Sequence, residues 1–301
     1  NGWIEGLTIA SIILGVLLGG QLVGPYIAPH LLALDLPALD LGIDSAAEAA
    51  IASLVILYVI AAVFTLYIPR PDAGLQPLPA RPFGRGSAFG RCNRRLWQDK
   101  LGQISLATTT LFWGVSGNLR YIVLAWAAAA LGYSTTQASS LVGVVAIGTA
   151  VGAGIASGVM RLGHATGVMV LGGAMGLLVI LMIFIDNVWV AAPFLMVLGG
   201  LGGFLVVPMN ALLQHRGHNL MGAGRSIAVQ NFNEQACILL LGGFYTGMTR
   251  LGLSAFGAIT IFGLLVAGTM AWIGRWHQRN TVVHRDEVER LLAIARSDPS
   301  H

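Results

Sequence analysis

The stretch GAGRSIAVQNFNEQACILLLGG, residues 222 to 243, sets Gln230, Asn231, Asn233, Glu234 and Gln235 almost side by side between two apolar runs. A carboxylate with neighbouring amides can receive an ammonium group. Helical spacing sorts these residues into faces. Gln230 stands one turn before Glu234 with Asn233 beside it, and Asn231 and Gln235 form a second i, i+4 pair. Arg120, in LFWGVSGNLRYIVLAW, has Ser116 four residues earlier on the same face. Its planar guanidinium fork can donate two parallel hydrogen bonds, which suits an anion such as phosphate. Glu5 completes the set at the start of another apolar run, where a negative charge also favours a helix N-terminus. A charge at bilayer depth costs roughly 2.5–3.5 kcal/mol on insertion scales, so it faces a cavity or a partner. Two uses compete. The groups could form a polar cavity that grips an anionic and a cationic moiety together. Alternatively, Arg120 and Glu234 pair with each other or with carbonyls and bind nothing, and Glu5 simply caps its helix.

The elements that must position these residues are written in the composition. The 301 residues are 55% hydrophobic and 10% charged, with 40 glycines, whereas a soluble domain carries about 25% charged residues. Spread along the whole chain, that deficit makes lipid the main solvent. A spanning helix needs about 20 mostly apolar residues, and eight stretches qualify: 5–28, 46–68, 101–126, 138–160, 166–185, 189–213, 222–248 and 252–276. Their continuous apolarity, without alternation, predicts an all-α membrane protein rather than a barrel. Small residues four apart at Gly15/Gly19, Gly148/Gly152 and Gly154/Gly158 would let helix backbones approach closely. Pro208 in VVPMNALLQ should kink the sixth stretch and free a carbonyl.

Basic residues alternate between connections. The segment 29–45 holds Asp35, Asp40 and Asp44 and no Lys or Arg, whereas 69–100 holds six arginines and Lys100. Of 17 Lys and Arg, fourteen fall in alternate connections or the tail, one in an opposite connection and two, Arg120 and Arg225, inside spans. The positive-inside rule then puts both chain ends on the cytoplasmic side and requires an even number of spans. The long Pro- and Gly-rich connection divides two spans from six, so four predicted units follow. Residues 1–68 are the last two helices of one six-helix bundle, 69–100 a basic cytoplasmic linker, 101–276 a second six-helix bundle and 277–301 a cytoplasmic tail. Carriers built from two such bundles hold substrate at the midplane between them. The tail, with Val288, Leu291, Leu292 and Ile294 among charges, suits a short amphipathic helix or disorder. Asn1 leads straight into a hydrophobic run without an initiator Met or signal-peptide pattern, so the sequence is expected to begin partway through a longer protein with four upstream helices.

Other signals are weak. His30 and Asp35 in HLLALD share the His-x4-Asp spacing of glycerolipid acyltransferases, but no nucleophile-site sequence accompanies them and chance accounts for the match. His215 and His218 could share a helix face but lack a third ligand, so no metal site is expected. There is no phosphate-binding GxxxxGK[ST] loop, since the only Lys is Lys100. Cys92 and Cys237 are too far apart in kind and place to suggest a disulfide framework. The basic residues sit in loops rather than on one polar face, which argues against nucleic acid. GQLVGP at 20–25 partly resembles the core of a proton-antiporter motif, so a proton-coupled drug or metabolite antiporter is the alternative.

Five segments together carry a family resemblance: NGWIEGLT at the start, LFWG with LR ending at Arg120, AIGTAVGAG at 146–154, GGFLVVPMNALLQHRG at 202–217 and GAGRSIAVQNFNE at 222–234. They resemble the bacterial lysophospholipid transporter (LplT) family of the major facilitator superfamily, in the order of its fifth through twelfth helices and from residue 1 to about 276. VVPxNALLQ combined with IAVQN is the specific part. The resemblance implies a twelve-helix, multi-pass carrier in the bacterial inner membrane, not an enzyme, and without a cofactor. Such a carrier takes lysophosphatidylethanolamine and lysophosphatidylglycerol from the outer to the inner leaflet. There an acyltransferase/acyl-carrier-protein synthetase, its functional partner in phospholipid recycling, re-acylates them. The expected oligomeric state is a monomer. The resemblance also implies that Arg120 and Glu5 handle the headgroup, with Gln230, Asn231 and Glu234 lining the same route. The family pattern would put a small or amide residue at Arg225 and a small one at Asn233.

Overall fold

Short polar side chains start four of the long helices. Ser45 and Glu48 form a reciprocal capping box, with Ser45 N donating to Glu48 Oε2 at 2.8 Å and Glu48 N to Ser45 Oγ at 3.3 Å. Ser134 and Gln137 repeat it. Asn187 Oδ1 accepts from Trp189 N at 2.9 Å, and Ser254 Oγ accepts from Gly257 N at 3.2 Å. Glycine ends or separates helices where the backbone turns left-handed, at Gly132 (φ 66°), Gly222 (φ 83°) and Gly252 (φ 86°). The computed structural model describes residues 11, 14–15, 18–19, 21–24, 26–33, 45–67, 84–160 and 162–297. Its helices are α1 (Ala28–Leu32), α2 (Ala46–Thr65), α3 (Gly84–Gln98), α4 (Gly102–Leu131), α5 (Thr135–Val159), α6 (Met169–Leu181), α7 (Val188–Met221), α8 (Ala223–Arg250), α9 (Ala255–Val283) and α10 (Arg285–Ser297). Turns of 3-10 helix cover Leu162–Val168 and Met182–Phe184, and no strand occurs among the described residues.

Among the described residues, five helical stretches are long and apolar enough to cross a membrane: α2, α5, Leu162–Phe184, α7 and α9. The expected stretches 101–126 and 222–248 are helices of 30 and 28 residues, α4 and α8, whose polar side chains lower their apolarity. Much of 5–28 lies outside the described residues. The chain is an α-helical membrane protein. Its outer surface bears this out, because Leu177, Trp189, Leu239, Leu240, Leu264 and Trp272 point outward, unburied by protein.

Packing in lipid depends on close contact rather than on expulsion of water. The α5–α7 crossing provides the closest contact. A Cβ on Gly148 or Gly152 would strike the backbone of Met196 or Gly200, and one on Gly199 or Gly203 would strike that of Val145 or Thr149. The other expected pairs behave differently: Gly15, Gly19, Gly154 and Gly158 face open space. Between α4 and α8, Gly114 lies under Cys237 and Gly117 under Ile238, and Asn118 Nδ2 donates to the Ile238 carbonyl at 3.1 Å. Gly176 and Gly263 bring α6 and α9 together in the same way. One hydrophobic core joins α4 to α10 around Trp126, Phe262, Ile122, Leu198 and Met209. The helix α10 is amphipathic and docks through Val288, Leu291 and Ala295. The helix α2 keeps most of its side chains exposed and has α1 as its neighbour.

Candidate functional site

The polar segment lies on α8, and the structure divides it in two. Ser226, Val229, Gln230 and Glu234 are buried, following the i, i+3, i+4, i+8 spacing of one helix face. Gln230 Nε2 donates to Glu234 Oε1 at 2.8 Å, which joins the pair anticipated from spacing. The same group donates to Asn210 Oδ1 at 2.7 Å on α7. Glu234 is 8% exposed, Gln230 7% and Asn210 6%, so the cluster is an interior polar contact between two helices. Asn231 and Gln235 stand on the exposed face. Asn233 is half-buried and turns toward α3, donating to Asn93 Oδ1 at 3.0 Å and accepting from Trp97 Nε1 at 3.2 Å. Arg225 is exposed near the start of α8.

The helix α7 reaches this cluster through Pro193 and Pro208 without a break. Pro208 has no N–H, so the Phe204 carbonyl one turn earlier lacks its helical donor. Asn210 follows two residues later. Beyond it, α7 and α8 approach so closely that a side chain at Gly217 would collide with Ser226 Oγ.

Arg120 sits on the exposed side of α4. It bends onto its neighbour, with Nη2 donating to Tyr121 Oη at 3.0 Å and the guanidinium carbon 4.7 Å from the Tyr121 ring centroid. The helices α4 and α8 run in the same direction, with Gly114 level with Cys237 and Asn118 reaching the Ile238 carbonyl. Glu234 therefore lies below Arg120 by an axial distance on the order of 10 Å at 1.5 Å per residue. The structure does not bring the two charges together. Arg120 is satisfied by Tyr121 in the open, and Glu234 is held by Gln230 inside. Glu5 lies outside the described residues.

Two further groups emerge that spacing alone does not reveal. Asn210 was hidden in an apolar run, its one signal being an amide just after a helix-interior proline. Arg216 and Asp99 form a buried bidentate pair, with Nε to Oδ1 at 3.1 Å and Nη2 to Oδ2 at 2.6 Å and side chains 6% and 7% exposed. Asp99 Oδ1 also accepts from Gly102 N at 2.7 Å, so one carboxylate caps α4 and ties it to the end of α7. The weaker motifs separate. His30 Nδ1 donates to the Tyr26 carbonyl at 2.9 Å, and Asp35 lies outside the described residues. His215 is buried beside Asn219, whereas His218 is exposed.

Comparison with known proteins fits this helical membrane body. "Lysophospholipid transporter LplT" of Yersinia pestis (strain Pestoides F) is 34% identical over 253 residues, 84% of this chain and 57% of that protein. The same figures hold for the LplT of Yersinia pseudotuberculosis serotype O:3 (strain YPIII). No family model and no solved structure matches. The chain spans a little over half the length of the curated relatives it matches. Over most of its own length it is a homologue of the lysophospholipid transporters LplT.

Proposed function

We propose that the chain is the later part of a twelve-helix major-facilitator carrier that moves lysophospholipids, chiefly lysophosphatidylethanolamine and lysophosphatidylglycerol, from the outer to the inner leaflet of a bacterial inner membrane. The similarity to LplT across 84% of the chain carries this reading. Within it, residues 1–68 close the first bundle, 69–100 link the bundles, 101–276 form the second, and 277–301 are a cytoplasmic tail. Both ends face the cytoplasm, as the arginine distribution supports. The carrier works as a monomer and delivers its cargo to an acyltransferase/acyl-carrier-protein synthetase.

A lysophospholipid has a charged headgroup and one apolar tail. Arg120, exposed and hydrogen-bonded to its own neighbour Tyr121, is suited to the phosphate. Asn231 and Gln235 on the exposed face of α8 can replace water around the rest of the headgroup. Glu234, Gln230 and Asn210 become available when the contact between α7 and α8 loosens. Glu5 belongs to the same set. Alternating exposure of the cavity follows from rocking of the two bundles.

The test is uptake of labelled lysophosphatidylethanolamine in cells lacking their own carrier and supplied with the full-length gene. Gene-dependent uptake that survives an uncoupler and falls at least about tenfold with Arg120→Gln is expected, since one lost charged hydrogen bond is worth about 1.5–3 kcal/mol. Normal expression without gene-dependent uptake refutes the reading. Uptake that collapses with the pH gradient supports a proton-coupled antiporter instead.

A further inference from the structure

We propose that the outward face of α3 is a binding surface for the headgroups of anionic diacyl phospholipids in the leaflet that it borders. The inference rests on the membrane character of the chain and is independent of the transported substrate. Along α3, Phe89, Cys92, Asn93, Leu96 and Trp97 turn inward, while Arg91, Arg94 and Arg95 turn outward and are exposed. The inward face is fixed at three points. Phe89 meets Phe232 edge-on at 5.2 Å, Asn93 accepts from Asn233, and Trp97 stacks parallel on Trp276 with centroids 6.3 Å apart. The arginines are therefore displayed on an anchored helix rather than spread along a loose connection.

Nothing described neutralises them. The sequence of α3, GRGSAFGRCNRRLWQ, contains no acid. The acid that follows it, Asp99, is already buried against Arg216. Arg91, Arg94 and Arg95 form no ion pair with any described residue. Exposed Arg275 and Arg279 flank Trp276, the stacking partner of Trp97, and add to the same sign of charge.

The position suits a bilayer surface. The helix α3 docks on the first three turns of α8, and its Trp97 stacks on Trp276, which in turn meets Trp272. Tryptophan concentrates at the membrane–water interface. A basic helix held at that level attracts anionic lipid by electrostatics, without requiring a shaped pocket. An anionic phospholipid supplies the phosphate and also the neighbouring negative surface that three arginines can face together.

Native mass spectrometry of the purified full-length protein, titrated with diacyl phosphatidylglycerol or phosphatidylethanolamine, tests the assignment. Wild type and Arg91→Gln/Arg94→Gln/Arg95→Gln are compared with the matching Lys variant, all three positions being exposed. Phosphatidylglycerol should bind wild type preferentially and the Gln variant roughly a hundredfold more weakly, three surface charges at about tenfold or less each, with Lys retaining most of the binding. Equal phosphatidylglycerol binding by wild type and the Gln variant overturns the proposal, as does a wild type without preference between the two lipids. Displacement by inorganic phosphate at matched ionic strength would make this a small-anion site and also overturns it. Displacement by lysophosphatidylethanolamine would place the lipid in the transport route, with the same consequence.

Discussion

Neutralising Asp99 tests whether the buried pair with Arg216 holds α4 to the end of α7. In Asp99→Asn, the side-chain oxygen that accepts from Gly102 N can remain, so the start of α4 keeps its cap. What disappears is the charge facing a guanidinium whose side chain is 6% exposed. Leaving one member of a buried pair uncompensated costs about 3–5 kcal/mol, and retention of the cap argues for the lower end, about 3 kcal/mol. Arg216→Met leaves the Asp99 side chain without its guanidinium, but at a helix N-terminus and still accepting a backbone N–H. A charged hydrogen bond of that kind is worth about 1.5–3 kcal/mol, and the helix terminus about 0.3–1 more. The second variant should therefore lose only about 1–2 kcal/mol on the same principle. The double variant buries neither charge and should match Arg216→Met, which leaves a coupling of about 3 kcal/mol between the sites. Equilibrium unfolding of the purified protein in mixed detergent–SDS micelles, followed by tryptophan fluorescence, measures all three. An Asp99→Asn variant within about 0.5 kcal/mol of wild type would refute the reasoning, because surface pairs show such values and buried ones do not. Strict additivity of the singles would refute it as well.

Gly152→Leu should abolish the α5–α7 crossing, whereas Gly158→Leu should be tolerated; size-exclusion profiles of the two variants check this, since only Gly152 faces a backbone. Gln230→Leu removes the donor to both Asn210 and Glu234, so it should cost about 1–3 kcal/mol, while Gln235→Leu on the exposed face should stay within about 0.5 kcal/mol in the same unfolding assay. Ser254→Ala deletes the cap of α9 and should destabilise by about 1 kcal/mol, readable as a modest drop in the SDS midpoint.

Long hydrocarbon runs announced the helices, and the four-residue spacing of Gln230 and Glu234 announced their contact. Spacing could not say which face meets a neighbour. Gly152 and Gly154 are two residues apart, about 200° around a helix. One pair of glycines therefore meets α7 while the other looks outward, although both read alike in sequence. Partners distant along the chain were equally illegible. Asn93 and Asn233 are separated by 140 residues, and Asp99 and Arg216 by 117. The inward pattern Phe89, Cys92, Leu96 and Trp97 was present in the sequence, but the arginines between those positions hid that this part of the basic connection folds as a docked helix.

The structure also sharpens the question of why a helix in lipid carries a carboxylate and four amides. A single polar face would need one explanation, but α8 needs two. Its buried Gln230 donates to both Glu234 and Asn210, so the cluster holds α7 and α8 in register where hydrocarbon alone would let them slide, while Asn233 ties α8 to Asn93 and Trp97 of α3. Asn231 and Gln235 take no part in that contact and stand on the exposed face. Burial costs separate the roles, because a satisfied interior cluster can remain closed through every conformation, whereas an exposed amide at membrane depth needs water, protein or a polar cargo beside it. Under the proposed carriage, the residues that first meet a headgroup are therefore the exposed ones, Asn231, Gln235 and Arg120. Glu234 takes part only if the contact between α7 and α8 opens during the cycle, and its loss should then be felt in stability before it is felt in recognition.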